Sequence, residues 1–164
     1  TGQFENEDYV FGACAGAGIY RRSLFDKIGF FDEDFFIFSE DVDLNLRAQL
    51  NELRCIYLPR AVVYHWGTAT VGFNSDRHVF LGTRNDLFVL VKNYTVREYL
   101  KYFKKIWRFR RESLKKLSLE GQGLPVFKSL VSFLWFLPGM FVKRISPAAK
   151  RMRTIDDIPE TVKD

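Results

Sequence analysis

Residues 30–47 read "FFDEDFFIFSEDVDLNLR", and no ordinary element suits them. Six carboxylates, Asp32, Glu33, Asp34, Glu40, Asp41 and Asp43, are threaded among Phe31, Phe35, Phe36, Ile37 and Phe38. A solvated acidic loop has no need of the aromatics, and a plain core segment avoids the acids. The fold has to hold this stretch at a boundary between its interior and a polar site.

The rest of the chain can supply an interior. With 164 residues, of which 47% are hydrophobic and 16% aromatic, it is long and apolar enough for one domain with a real core. Cys14 and Cys55 are too few for a disulfide framework and lack metal-type pair spacing, so they are expected as buried small residues in a reducing compartment. The start, "TGQFENEDYVFGACAG", has neither an initiating Met nor the basic and apolar run of a signal peptide, so the chain is expected to be cut from a longer protein.

Charge divides the chain. Residues 1–95 carry 9 Lys+Arg against 13 Asp+Glu, whereas residues 96–164 carry 16 against 7, for +5 overall. An acidic working part followed by a basic segment suggests contact with an anionic surface, a membrane or a nucleic acid.

Local patterns fill in the elements. Residues 9–14 read as a short apolar strand or turn, broken by Gly12, Gly16 and Gly18, where backbone can approach a ligand or another strand closely. "RRSLFDKIGF" suits a helix with Ser23 as N-cap and Gly29 as its stop. Ser39 is placed to cap a second helix, "EDVDLNLRAQL", with Glu40 and Asp41 in its first turn, Val42, Leu46 and Leu50 as its apolar stripe, and Asp43 with Arg47 as a surface i, i+4 pair. "RCIYLPRAVVYHWGTATVG" reads as two short strands split by Pro59, the second over residues 61–66, so that His65 lies near a strand end before a Gly/Thr-rich loop. A helix follows over "DRHVFLGTRNDLFVLVKNY".

The basic half opens with a helix from about residue 96 to 120, in which Tyr99, Phe103, Ile106, Leu114 and Leu117 interleave with eight cations between residues 101 and 117. "LPVFKSLVSFLWFLPGMFVKRI" comes next, with only 14 uncharged residues between Lys128 and Lys143. That is short of the roughly 18–20 of a spanning helix, and Pro138-Gly139 is expected to interrupt it, which favours a helix in the membrane interface or packed on the domain. The tail after Ser146 is polar and expected to be loose.

Taken together, "GACAGAGIYRRSLFDKIGFFDEDFFIFSEDVDLNLRAQLNELRCIYLPRAVVYHWGTATVG" resembles the C-terminal half of the catalytic domain of family 2 inverting glycosyltransferases, above all their rhamnosyltransferase-like branch. The similarity rests on ordered motifs, a glycine-rich GA segment, a basic pair after an aromatic, "FDEDFF", an acidic "ED" pair, a "LP" strand reaching His65, and "RN" opening a helix, and spans about residues 9–95. It implies an α/β fold: residues 1–95 as the acceptor-side half of a GT-A domain, 96–146 as a basic and hydrophobic helical extension, and 147–164 as a polar tail.

The resemblance also implies chemistry. A nucleotide-diphospho-sugar donor gives its sugar, with inversion, to a hydroxyl of a glycan or lipid-linked acceptor, at the cytoplasmic face of a bacterial cell membrane touched through residues 96–146. The matching residues make Asp41 the general base, with Glu40, Gly16, Ala17 and Arg84 contacting substrate and His65 a ligand of a divalent metal, Mn²⁺ or Mg²⁺. A carboxylate in a partly dry aromatic pocket suits the role of base. The metal's Asp-x-Asp ligands lie outside this chain; Asp41 and Asp43 are also Asp-x-Asp, but on a helix they point about 200° apart. The nucleotide-binding half has no counterpart, so the chain alone is expected to be inactive, and a sheet edge left open there would favour homo-oligomers.

Plainer readings stand beside these. Asp41 could only satisfy backbone N–H groups at a helix start, His65 could be bonded to backbone, and Arg84 with Asn85 could brace the fold. The basic helix could anchor a non-enzymatic module to membrane. Nucleic-acid binding fits worst, because the cations adjoin a long apolar segment and no recognition motif is present.

Overall fold

The computed structural model describes residues 4–65, 71–145 and 151–159. Two short strands, β1 (Asp8–Val10) and β2 (Cys55–Tyr57), pair antiparallel with Asp8 opposite Tyr57. Five helices carry most of the rest: α1 (Arg22–Ile28), α2 (Glu40–Leu50), α3 (Asp76–Asn93), α4 (Val96–Leu119) and α5 (Gly123–Ile145).

Helix α2 is the spine of the fold. One side packs Leu46 and Leu50 into a core with Phe35, Phe88, Val89, Met140 and Ile158. Another packs Leu44 and Ala48 against Ile28, under the aromatic rings of Tyr20, Phe25 and Phe31. The face between them is polar, and it replaces a strand. Gln49 donates to the Phe11 carbonyl at 2.8 Å, Asn45 to Ala13 at 2.8 Å, and Asp41 accepts from the Ala15 N–H at 3.2 Å. Four helical residues rise about 6 Å and two extended residues about 6.6 Å, so side chains at 41, 45 and 49 match backbone groups at 15, 13 and 11. Residues 11–15 therefore run beyond β1 as a rail on α2, where the sequence reads as a short strand or turn over residues 9–14. Gly12 is required at this approach, since the Asn45 side chain occupies the place of a Cβ.

Several expectations change. Helix α1 begins before Ser23, with Arg21 at the cap position and no side-chain bond; Gly29, at φ 77°, ends it as expected. Residues 61–65 form no strand and are exposed; β2 pairs with β1 alone among the described residues, and Trp66 lies outside them. Asp43 and Arg47 do pair, at 2.9 Å, but they are buried. Cys14 is exposed and Cys55 half-buried.

The C-terminal segments also differ. Helix α5 runs straight through Pro138-Gly139. Losing one backbone hydrogen bond is tolerated because α5 packs along α3, seating Phe133, Phe136 and fully buried Met140 in the core. By length and composition the stretch Gly123–Arg144 could cross a membrane. Among the described residues the tail is not loose: Met152 and Arg153 donate their N–H groups to the Leu50 carbonyl, and Ile158 is buried in the main core. Arg151 grips Glu98 with two bonds of 2.9 and 2.6 Å, and the Ile155 N–H adds a third at 2.8 Å. Glu98 simultaneously closes a capping box with Thr95 at the start of α4, so one carboxylate joins the helix to the tail.

Candidate active site

The turn leading into α2 is strained and braced. Phe36, Phe38 and Ser39 have φ of 63°, 71° and 61°, in the left-handed region that side chains other than glycine resist at about 1–3 kcal/mol each. Asn85 of α3 holds them. Fully buried, its amide nitrogen donates to the carbonyls of Phe35, Ile37 and Phe38 at 2.8, 2.9 and 2.8 Å. Its oxygen accepts from Arg84 Nε at 3.0 Å. Ser39 occupies the N-cap position without capping; its hydroxyl donates instead to Asp86 at 3.1 Å. The strained turn thus sets where α2 begins, and with it the heading of Asp41.

Asp41 stands at the last rung of the polar ladder. One carboxylate oxygen accepts from Ala15 at 3.2 Å and the other from Val42 at 2.8 Å, which aims the group at the loop of residues 14–18. The loop is glycine-rich for a visible reason: a Cβ at Gly16 would lie 2.9 Å from the His65 ring. Gly16 and His65 are therefore neighbours, across the loop that touches Asp41. Ala17 closes the same loop by donating to the Cys14 carbonyl at 3.0 Å.

Two polar atoms here are buried without a hydrogen-bond partner, the Tyr20 hydroxyl and Glu40 Oε2. Burial, and then the Asp41 charge, raises the Tyr20 pKa. Burial likewise raises that of Glu40, with the Asp41 charge adding to it. A buried hydroxyl donor and a desolvated carboxyl acceptor beside Asp41 suit the hydroxyls of a sugar. Tyr20 was missed in the sequence; its signal was its place as the aromatic before the basic pair.

The other acids of the opening stretch have a different fate. Asp43 accepts from Arg47, from Lys92 at 2.8 Å and from Asn93 at 2.8 Å. Lys92 also reaches Asp32 at 2.8 Å, and Lys143 of α5 bonds Asp32 and, at 2.5 Å, Asp34. Arg47 closes the set by donating to the Ile28, Gly29 and Phe30 carbonyls. For Asp32, burial alone would raise the pKa, but bonds from Lys143 and Lys92 bring it below the usual value. This network binds α2, α3, α5 and the 28–34 loop together.

Arg84 lies apart from Asp41's loop. It is buried, donates to the Asp34 carbonyl at 2.8 Å and stacks its guanidinium on the rings of Phe80, Phe88 and Phe136. Among the described residues no three His, Cys, Asp or Glu side chains converge to hold a metal. His65 is one donor, which does not make a metal site by itself.

No family model matches the chain, and no solved structure matches it. Two curated proteins match in part: N-acetylglucosaminyl-diphospho-decaprenol L-rhamnosyltransferase of Mycobacterium tuberculosis strains CDC 1551 / Oshkosh and ATCC 25618 / H37Rv, each 34% identical over 71 residues. The match covers 43% of this chain and 22% of each relative, so the chain corresponds to about a fifth of their length. The chain thus has a partial and distant kinship with a glycosyltransferase.

Proposed function

We propose that these residues form the acceptor side of an inverting glycosyltransferase of GT-A type, with Asp41 as its general base. The reading rests chiefly on Asp41 itself, fixed at the end of a helix-to-backbone ladder beside the unpartnered Tyr20 hydroxyl and Glu40 carboxyl. Asp41 takes the proton from an acceptor hydroxyl as that oxygen bonds to the anomeric carbon of a nucleotide-diphospho-sugar; the bond from that carbon to the diphosphate breaks, and the nucleoside diphosphate leaves. Glu40 and Tyr20 orient the acceptor, and Gly16 and Ala17 let it approach the backbone. No step is assigned to a metal, since His65 is a single donor.

The acceptor class we assign is a lipid-linked sugar diphosphate, as in the name of the partial relatives. Helix α4 supports work at a lipid surface: of its 24 residues only Glu98 is buried, and Trp107 is 57% exposed among the cations. Helix α5 adds an outward apolar face, on which Trp135 is 83% exposed. Anionic lipid attracts each nearby cation by about 1 kcal/mol.

The test uses the natural protein that carries these residues, assayed with Mn²⁺ over a panel of nucleotide sugars. Transfer that falls about a hundredfold or more in Asp41→Asn, with donor binding kept, is the expected result for loss of a general base. Near-normal transfer by Asp41→Asn would leave Asp41 as a helix-start carboxylate and sink the reading.

A further inference from the structure

A groove of about 650 Å³ lies between α2, α3 and α4, a size ordinary for ligand sites. Its walls are apolar, with Leu46 of α2, Val89 and Leu90 of α3, and Ile106 and Phe109 of α4. Its two ends differ. From Asp86 to Tyr94 it follows two turns of α3, about 12 Å. The Tyr94 end is closed by Ile155 and Ile158 of the tail, while Ser39, Asp86 and Arg110 meet at the other.

Arg110 is the unexplained group. Its Nη2 is buried and has no hydrogen-bond partner, although the charge of Asp86 across from it acts on it. A guanidinium N–H in that position is an anion-binding donor left open, and diphosphate oxygens match it well. The polar end also adjoins the candidate active site: Ser39 and Val42, which line the groove, flank Glu40 and Asp41 in sequence. The roof is lightly held, since α4 buries only Glu98.

Resting on the transferase reading, we propose that this groove binds the prenyl chain of a lipid-linked acceptor, with Arg110 taking its diphosphate at the end nearest Asp41. An apolar slot ending in an open cationic donor is complementary to an amphiphile of that kind, and it would point the attached sugar toward the start of α2. Groove occupancy would then set acceptor choice, while Asp41 sets the chemistry.

The experiment is calorimetric titration of the chain with geranylgeranyl diphosphate, with pyrophosphate and geranylgeraniol as the head-only and chain-only controls. The expected result is saturable binding at least about tenfold tighter than either control, weakened about tenfold or more by Arg110→Ala. Phe109→Glu should abolish it, and Arg60→Ala, which removes an exposed cation outside the groove's lining, should leave it unchanged. Phe109 is 66% exposed and Arg110 partly so, so both variants should fold, which far-UV circular dichroism checks. Binding that survives Phe109→Glu and Arg110→Ala, or that Arg60→Ala removes, overturns the assignment. So does a concentration-dependent dimer that the probe fails to dissociate, since a second copy would then fill the groove. Probe binding without sugar transfer in the natural protein keeps the groove and removes the transferase reading. Transfer to a chain-free sugar at an undiminished rate does the reverse.

Discussion

Glu40, Asp41 and Asp43 share the first turn of α2, yet they lead opposite lives. Asp43 is fully buried and saturated by Arg47, Lys92 and Asn93, and its neighbours Asp32 and Asp34 are tied to Lys92 and Lys143. Glu40 is desolvated with one oxygen unpartnered, and Asp41 is held only by backbone N–H groups. A saturated acid holds a fold together; an acid held from one side keeps lone pairs for something else.

The largest effect should come from breaking the saturated side. Asp43→Ala leaves Arg47 and Lys92 buried without their shared carboxylate, a loss of about 3–5 kcal/mol readable from the urea midpoint. A loss below about 1 kcal/mol would show that the network is not what joins α2 to α3. On the other side, Asp41→Asn should change stability by less than about 1 kcal/mol, since an amide oxygen still accepts a backbone N–H, while the rate falls by the hundredfold given above.

Asn85→Ala sits between the two, because the residue is structural but its cargo is the active helix. Three carbonyls, that of Phe35 buried and those of Ile37 and Phe38 partly so, lose this donor and the strained turn its brace, for about 1–3 kcal/mol in thermal unfolding. Asn85→Asp keeps an acceptor for Arg84 but sets a buried carboxylate oxygen against the same three carbonyls, so it should cost at least as much.

Acid sharpens the contrast next. Burial works against the charged form of Glu98, yet Arg151, the Ile155 N–H and Thr95 lower its pKa from 4.5 to about 2. Its contribution is complete above about pH 4.5 and disappears as pH falls from there through about 2. Asp32, also lowered, adds to the loss in the same direction. Acid titration followed by circular dichroism should show the tail and α4 losing stability together, and Glu98→Gln should flatten the transition.

Glu40 gives the smallest effect and the opposite sign. Its pKa is raised, so ionisation is disfavoured in the folded chain and stability is lost as pH rises through that value. Glu40→Gln should therefore raise stability at pH 7 by less than about 1 kcal/mol, a modest gain for a partly exposed group. A destabilised Glu40→Gln would place Glu40 with the structural acids.

The helices α2, α3 and α4 were legible because apolar spacing reports on a period that local backbone geometry sets, and Gly29 as a stop is equally local, whereas the caps expected at Ser23 and Ser39 do not form. The pairing of Asp43 with Arg47 was legible too, but not its burial, which depends on Lys92 and Asn93 arriving from 49 and 50 residues further along. The candidate site divides in the same way. Asp41, Gly16 and His65 could be named from their motifs, and the structure places Asp41 on the loop of Gly16, whose neighbour is the His65 ring. The 41/45/49 ladder could not, since it depends on an extended segment lying against a helix; Tyr20 had a signal in its place before the basic pair, but only its burial beside Asp41 marks it out.

By itself, the sequence determined which segments coil and where the charges fall, because those follow from neighbours within a turn or two. Tertiary structure alone decided which acids are neutralised and which stay open, whether Pro138 breaks its helix, and whether the tail docks. Each of those outcomes depends on a partner that only folding brings within a few ångströms, where desolvation and pairing set the energy.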